Sequence, residues 1–271
     1  SKKCARRTIN IFGGRVIRRV SPRKAMSLIK PLIARIGGKS RLVSRLVELL
    51  PQHRLYSEIF AGGARLFFTK EPSTIEILND KDDMLVNFYK VVQNDIKRQE
   101  LIKALNELPY SRNVFNYFRR VEPQDEIEKG VQFFYLSKAS FAGDSLKGGF
   151  GCPSRSTTRN PAQTYQNSID ALEHTARRLK GITIECLDYA ACIQRYDSKD
   201  TLFYCDPPYM DAEHYYGNTF TLQDHYTLAG LLHDIKGKAM VTHYQNDVYD
   251  KLYDRWYRYA YSSFKGSHKS T

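Results

Sequence analysis

Hydrophobic positions follow two rhythms along the chain. Leu42, Val43, Leu46, Val47, Leu49 and Leu50 recur at helical spacing until Pro51 stops them. Leu55 opens a strand that runs into Phe60-Ala61-Gly62-Gly63, a glycine turn leading to a helix. Residues 74–80 alternate at first and end in Asp80, which predicts a second strand. Residues 84–136 read as mostly helical, with breaks at Pro109 and Pro123. Ser168 is placed to cap a helix carrying Ile169, Leu172, Ala176 and Leu179. Residues 181–189 predict a further strand ending in an acid, Asp188. The bulky run Leu202-Phe203-Tyr204-Cys205 predicts a buried strand, halted by Asp206-Pro207-Pro208-Tyr209. Thr221 to Asp224 caps a helix through Leu232; a strand at 239–243, a helix at 248–256 and an aromatic strand at 257–264 follow. Strands alternating with helices predict an α/β sheet, with an inserted lobe near 90–165.

Charge changes this picture at one end. The 271 residues carry a net charge of +13. Residues 1–50 hold 14 Lys/Arg against one acid, Glu48; the remaining 221 hold 28 of each sign. A phosphate-bearing partner is a natural use of such a patch, an anionic membrane surface is the competitor, and a solubilising tail is the plain alternative. Residues 1–28 are expected as a basic arm, with a weak strand and a disordered extension both open. No apolar run approaches the roughly 20 residues a membrane span needs, and the start lacks a signal-peptide core. The five cysteines form no Cys-x-x-Cys pair, which fits reduced thiols in a cytoplasm and no metal site.

Candidate chemistry gathers where strands are predicted to end. Asp80, Asp188 and Asp206 would share one sheet edge, where open α/β sheets bind ligands. An acid about 20 residues beyond a glycine turn suits a ribose hydroxyl; a tight turn and a helix cap are the structural alternative. Gly37-Gly38-Lys39 before the helix at 42–50 suits a small anion. A nucleotide P-loop is rejected, because its first glycine falls on Ile33. Asp206-Pro207-Pro208-Tyr209 is a stiff loop offering a carboxylate, carbonyls and an aromatic face, suited to an exocyclic amine on a ring. Residues 137–161 are glycine-rich and basic, and Lys138, Lys147, Arg155 and Arg159 are candidate contacts to bases or phosphates. His225 and His243 read as surface or supporting groups, and Trp256 as core.

The motif Asp206-Pro207-Pro208-Tyr209, the Phe60-x-Gly62-Gly63 turn, Gly37-Gly38-Lys39 and the Phe220-Thr-Leu-x-Asp-His225 segment stand in an order that resembles the DNA adenine-N6 methyltransferases of the Dam type. The resemblance covers roughly residues 30–264. It implies a class I methyltransferase (Rossmann-like) sheet using S-adenosylmethionine, with residues 29–89 and 166–271 catalytic and 90–165 a mostly helical target-recognition lobe. It implies that Lys39 meets the methionine carboxylate, with Arg35 near it. Phe60, Ala61, Gly62 and Gly63 would line the cofactor, Asp80 would bind the ribose, and Asp188 and Tyr189 would lie at the adenine ring. Asp206, Pro207 and Tyr209 would hold the target adenine, with Pro208 in the same catalytic motif and Asp206 also at the cofactor.

Several positions depart from the family pattern. Arg35 and Ile36 stand where the family often has an aromatic. The recognition loop reads Phe141-Ala142-Gly143 and Lys147-Gly148-Gly149, so no target sequence is carried over. The end of the chain reads as truncated against a family that continues into a last strand. The expected activity is methylation of adenine N6 in double-stranded DNA by a flipped-base mechanism, in a cytoplasmic monomer or a dimer on DNA, with any partner restriction nuclease open. Cytosine-N4 methylation and a catalytically silent DNA-binding relative are the alternatives.

Overall fold

The computed structural model describes residues 6–14, 32–33, 42–141, 148–153, 160–210 and 220–264, with backbone only for 6, 7 and 262–264. Seven strands form one mixed sheet. They are β1 (Arg6–Gly13), β2 (Leu55–Glu58), β3 (Ile75–Asn79), β4 (Thr183–Glu185), β5 (Thr201–Cys205), β6 (Lys238–Tyr244) and β7 (Tyr257–Phe264), in the spatial order β4-β3-β2-β5-β6-β1-β7. The run from β4 to β6 is parallel, and the order turns back between β2 and β5. That reversal is the switch point at which such sheets open a crevice.

Each sheet face buries its own cluster. Tyr56, Leu78, Leu202, Tyr204, Met240, Ile9 and Ile11 pack with α1 (Val43–Leu49), α2 (Arg65–Thr69) and α3 (Asp83–Gln93). Ile59, Phe203, Cys205, Val241 and Phe12 pack on the other face with α9 (Tyr189–Tyr196), α10 (Leu222–Asp234) and α11 (Asp247–Leu252). Alternation along each strand sends neighbouring residues to opposite faces, which is why Val241 and Met240 sit in different clusters. Fully buried strands with apolar runs are what a parallel sheet covered on both sides requires.

The opening segment is the main correction. Arg6–Gly13, expected within an arm outside the domain, is an internal strand. It runs antiparallel between β6 and β7, with Phe12 opposite both Val241 and Arg258. Ile9, Ile11 and Phe12 are buried in the core. The physical reason is the alternation Thr8-Ile9-Asn10-Ile11, which the surrounding arginines mask in a charge-based reading.

Between α3 and β4 the described residues form five helices: α4 (Asp95–Glu107), α5 (Arg112–Phe118), α6 (Glu126–Ala139), α7 (Pro161–Asp170) and α8 (Leu172–Leu179). Asn94 separates α3 from α4 by ending one and capping the other, its side chain accepting from Ile96 and Lys97 N–H groups. The expected cap at Ser168 is also corrected. Asn160 caps a helix that begins at Pro161, and the Ser168 hydroxyl donates to the Thr164 carbonyl inside α7.

Candidate active site

Parallel register sets the edge of the site. Glu58 lies opposite Leu78 and Tyr204, and Cys205 opposite Val241. One step further on, Asp206 leaves β5 beside Thr242, whose hydroxyl donates to Asp206 Oδ1 at 2.8 Å. Pro207 and Tyr209 are buried, while Asp206 and Pro208 are half-buried. The Tyr209 ring packs 4.8 Å from His243 and 4.5 Å, edge-on, from Tyr244. Burial pushes its phenol well above the ordinary range, with the charge of Asp206 adding to the shift. Tyr209 therefore stays a neutral aromatic wall beside the carboxylate.

The glycine turn lies next to this loop. Ile59 N–H donates to the Tyr204 carbonyl at 3.0 Å, and Ala61 N–H to that of Asn79 at 2.8 Å. Gly62 takes φ +48° and Ala64 φ +47°. Asp80 follows β3 and accepts from Gly62 N–H at 2.8 Å and Asp82 N–H at 3.0 Å. The Tyr89 hydroxyl donates to the Gly62 carbonyl at 2.7 Å. Gly63 is small for a reason internal to the chain: a Cβ there would stand 2.5 Å from the Ile33 carbonyl oxygen.

Asp188 is placed differently from expectation. β4 ends at Glu185, and Asp188 instead caps α9, accepting from Ala190 N–H at 3.0 Å. Its other oxygen lies 3.5 Å from Lys81 Nζ in an exposed setting. Phe60, Tyr189 and Phe220 meet as three rings, with centroids 6.0, 5.5 and 5.6 Å apart. Burial, then Asp224, pushes the Tyr189 phenol up to about 12.

Three residues hold this edge together: Asn79 and Glu58, to which the sequence reading gave no role, and His243, which it read as a surface or supporting group. Buried Asn79 donates through Nδ2 to the Ile59 and Leu187 carbonyls at 3.0 and 3.1 Å, and its Oδ1 accepts Leu187 N–H at 2.9 Å. One side chain thus ties the glycine turn to the segment leading to Asp188. Glu58, at the end of β2, accepts from the Tyr56 hydroxyl at 2.8 Å and Phe67 N–H at 3.1 Å. Its burial raises the carboxyl to about 8 despite those bonds. His243, read as surface or supporting, is fully buried, and its Nε2 accepts Met210 N–H at 3.0 Å. A polar residue inside an apolar strand was the available signal in each case.

The basic candidates divide. Lys138 is corrected: its ammonium turns inward and donates to the Leu32 carbonyl, and burial pushes it down to about 8. Arg35, Lys39, Lys147, Arg155 and Arg159 lie outside the described residues. Helix α5 presents a stripe that was not anticipated. Asn113, Asn116 and Tyr117, at positions i, i+3 and i+4, line an open cavity of about 530 Å³ with Arg120 and Val121 just past the helix end. No helix among the described residues is long and apolar enough to cross a membrane.

A doubly wound sheet whose switch point joins a glycine turn, an acid after β3 and a rigid Asp-Pro-Pro-Tyr loop is the layout of a class I methyltransferase. The model of the D12 class N6 adenine-specific DNA methyltransferases matches residues 36–269, and the chain belongs to that family. It is 25% identical over 239 residues to the type II methyltransferase M.CviBI of Paramecium bursaria Chlorella virus NC1A, covering 86% of this chain and 90% of that protein. Identity is 29% over 207 residues to the type II methyltransferase M.MjaIII of Methanocaldococcus jannaschii, covering 67% and 69%. It is 27% over 240 residues to the DNA adenine methylase of Salmonella typhi, covering 83% and 82%. The protein is a DNA adenine-N6 methyltransferase. Membership of this family favours adenine N6 over cytosine N4 and an enzyme over a silent binder.

Proposed function

We propose that the methyl donor is S-adenosylmethionine, held against the turn Phe60–Gly63, and that the acceptor adenine is flipped from double-stranded DNA onto Asp206–Tyr209. A base inside a duplex hides its exocyclic amine, so extrusion is the general solution for chemistry on it. The donor set fits the cofactor. Asp80, fixed beside the glycine turn by the Gly62 and Asp82 N–H groups, places a carboxylate for ribose hydroxyls, and Phe60, Tyr189 and Phe220 supply rings for an adenine. Lys39 and Arg35 are the proposed partners of its carboxylate. When bound, the cofactor supplies a methyl group on a sulfonium.

The remaining chemistry belongs to the chain. The Asp206 carboxylate and the Pro207 carbonyl accept the two N6 hydrogens and draw the nitrogen toward tetrahedral geometry. The carboxylate stabilises the positive charge that builds there. Tyr209 stacks on the base. Residues 90–165 are the proposed recognition lobe, with Lys147, Arg155 and Arg159 at the DNA.

The observation that carries this reading is the Thr242–Asp206 bond, which fixes a carboxylate at the switch point beside the glycine turn. Transfer of a labelled methyl group to unmethylated DNA, with mass analysis of the product nucleosides, tests it. Wild type should yield N6-methyladenine. Asp206→Ala should lose transfer by at least about 100-fold, in line with removing a charge-stabilising group, while still binding the cofactor. Unimpaired transfer by Asp206→Ala refutes the assignment.

A further inference from the structure

Two neighbouring residues of β6 grip the two ends of the Asp206–Met210 loop. Thr242 holds Asp206 from one sheet face, and His243 holds Met210 from the other. Successive strand residues point to opposite faces, so a single dipeptide reaches both ends. Because Met210 N–H is a donor, His243 Nε2 must be unprotonated. The ring proton is then on Nδ1, 2.7 Å from the Tyr244 carbonyl, to which it donates; the Asn246 amide nitrogen, 3.1 Å from Nδ1, turns its hydrogens to the same carbonyl at 3.5 Å instead. The imidazole is fully buried and stacks on Tyr249, with centroids 3.7 Å apart and planes at 15°. Its other side packs against Tyr209.

We propose that His243 is a positioning residue whose neutral, Nδ1-protonated ring latches the target-adenine loop, and that protonating it releases Tyr209 and stops methyl transfer. The proposal rests on the reading of Asp206–Tyr209 as the loop that holds the adenine. A proton on Nε2 would turn an acceptor into a donor facing the Met210 N–H, so the loop would lose its far anchor. The ring has no room to swing away, being held between Tyr249 and Tyr209. The groups around it are Met210 and Tyr209 from the loop, Tyr244 from its own strand and His225 from α10 at 5.7 Å. Tyr249 of α11, the Asn246 amide and Asn10 across β1 also face it, and Asp206 stands at the other end of the loop on Thr242. Asn10 is bonded to Asp250, which pairs with Arg258. A displacement of about 1 Å at a reacting group is enough to cost on the order of 100-fold in rate.

Two measurements test it. In protein labelled with ¹⁵N-histidine and ¹⁵N-methionine, with the His243 signal assigned by its loss in His243→Gln, the ring should show the Nδ1–H tautomer at neutral pH. It should acquire its second proton together with a shift of the Met210 amide. An Nε2–H tautomer, or a Met210 amide indifferent to that proton, overturns the proposal. Steady-state methyl transfer is the second. Glutamine places its carbonyl oxygen near the Nε2 position and does not titrate. The His243→Gln enzyme should therefore keep most of its kcat and lose the acid limb of the wild-type pH profile. His243→Ala should lower kcat by about 10- to 100-fold with the cofactor KM within about twofold. An acid limb unchanged in His243→Gln, or wild-type kcat in His243→Ala, overturns the latch. If wild type transfers no methyl group the reaction reading falls, and the ¹⁵N experiment still decides the latch.

Discussion

Truncating Asn79 should cost more than any surface change and should act on the cofactor at the same time. Asn79 is fully buried and makes three hydrogen bonds, two as donor to the Ile59 and Leu187 carbonyls and one as acceptor from Leu187 N–H. Asn79→Ala removes all three and leaves two carbonyls and an amide without partners at a sheet edge. Each unsatisfied buried group costs about 1–3 kcal/mol. Water entering the vacated space offsets part of this, so the expected loss is about 3–5 kcal/mol. That is a large share of the 5–15 kcal/mol typical of a folded domain. Asn79→Asp is the sharper variant. It keeps the acceptor for Leu187 N–H but sets a second oxygen against two carbonyls. Its loss should be at least as large at pH 7 and should shrink toward pH 4, where a protonated carboxyl again donates. Urea unfolding at both pH values gives the stabilities, and calorimetric titration with S-adenosylmethionine gives the affinity. Both variants should weaken the cofactor, because the tie between the glycine turn and the approach to Asp188 is gone. Stabilities within about 1 kcal/mol of wild type for both variants would falsify the tie.

Further outcomes follow from the same structure. Phe12→Ala should destabilise the protein by about 3–5 kcal/mol, because the ring is buried against Tyr249 and Tyr253; a loss under about 1 kcal/mol in urea unfolding would return residues 6–13 to the status of an arm. Glu76→Gln should cost roughly 3–5 kcal/mol, since it leaves Lys70 Nζ and the Arg178 guanidinium, each 2.5 Å from the buried carboxylate, facing a neutral group. Glu58 is raised from its ordinary 4.5 to about 8, so its contribution to stability is fully present below about pH 4.5 and is lost as pH rises through 8. Glu58→Gln removes that dependence and should exceed wild type by several kcal/mol at pH 9, on the order of 1.4 kcal/mol for each pH unit of the shift, while matching it near pH 4.5; parallel pH profiles in urea unfolding would refute this. Arg120, just past α5 in the proposed recognition lobe, is placed to meet a phosphate: Arg120→Ala should weaken DNA binding evenly across sequences and lower the salt slope by about one, read by fluorescence anisotropy at several salt concentrations; an unchanged slope removes Arg120 from the DNA contacts.

Legibility in the sequence followed the physics of each element. The strands at 55–58, 75–79 and 201–205 were visible because bulky residues run into an acid or a glycine turn, and that at 257–264 because its tyrosines alternate. Asp80 and Asp206 fell at strand ends as read, and the capping box of Thr221 with Asp224 starts α10 where the sequence placed it. The strand at 6–13 was obscured because its two neighbours, β6 and β7, lie more than 220 residues away along the chain. Pattern alone says nothing about such pairing. Lys138 misled for a related reason. A lysine in a basic loop reads as a phosphate contact, but its stem crosses to residue 32 and its ammonium finds a carbonyl.

The same reasoning explains why the supporting residues were harder to find than the proposed reacting ones. Asp206-Pro-Pro-Tyr209 announces itself because prolines make a loop rigid by local geometry, whatever the tertiary context. Rigidity within the loop does not fix its position. Position comes from Thr242 and His243 at its two ends, and for the glycine turn from Asn79 and Asp80. Each of these bonds joins strands that only register brings together. A side chain such as Thr242 therefore looks like any β-branched strand residue until β6 is laid against β5. The chemistry is written locally, and its alignment is written in the pairing of strands. Truncation at either position, as in Thr242→Ala or His243→Ala, should then lower kcat for methyl transfer while leaving Asp206 itself intact.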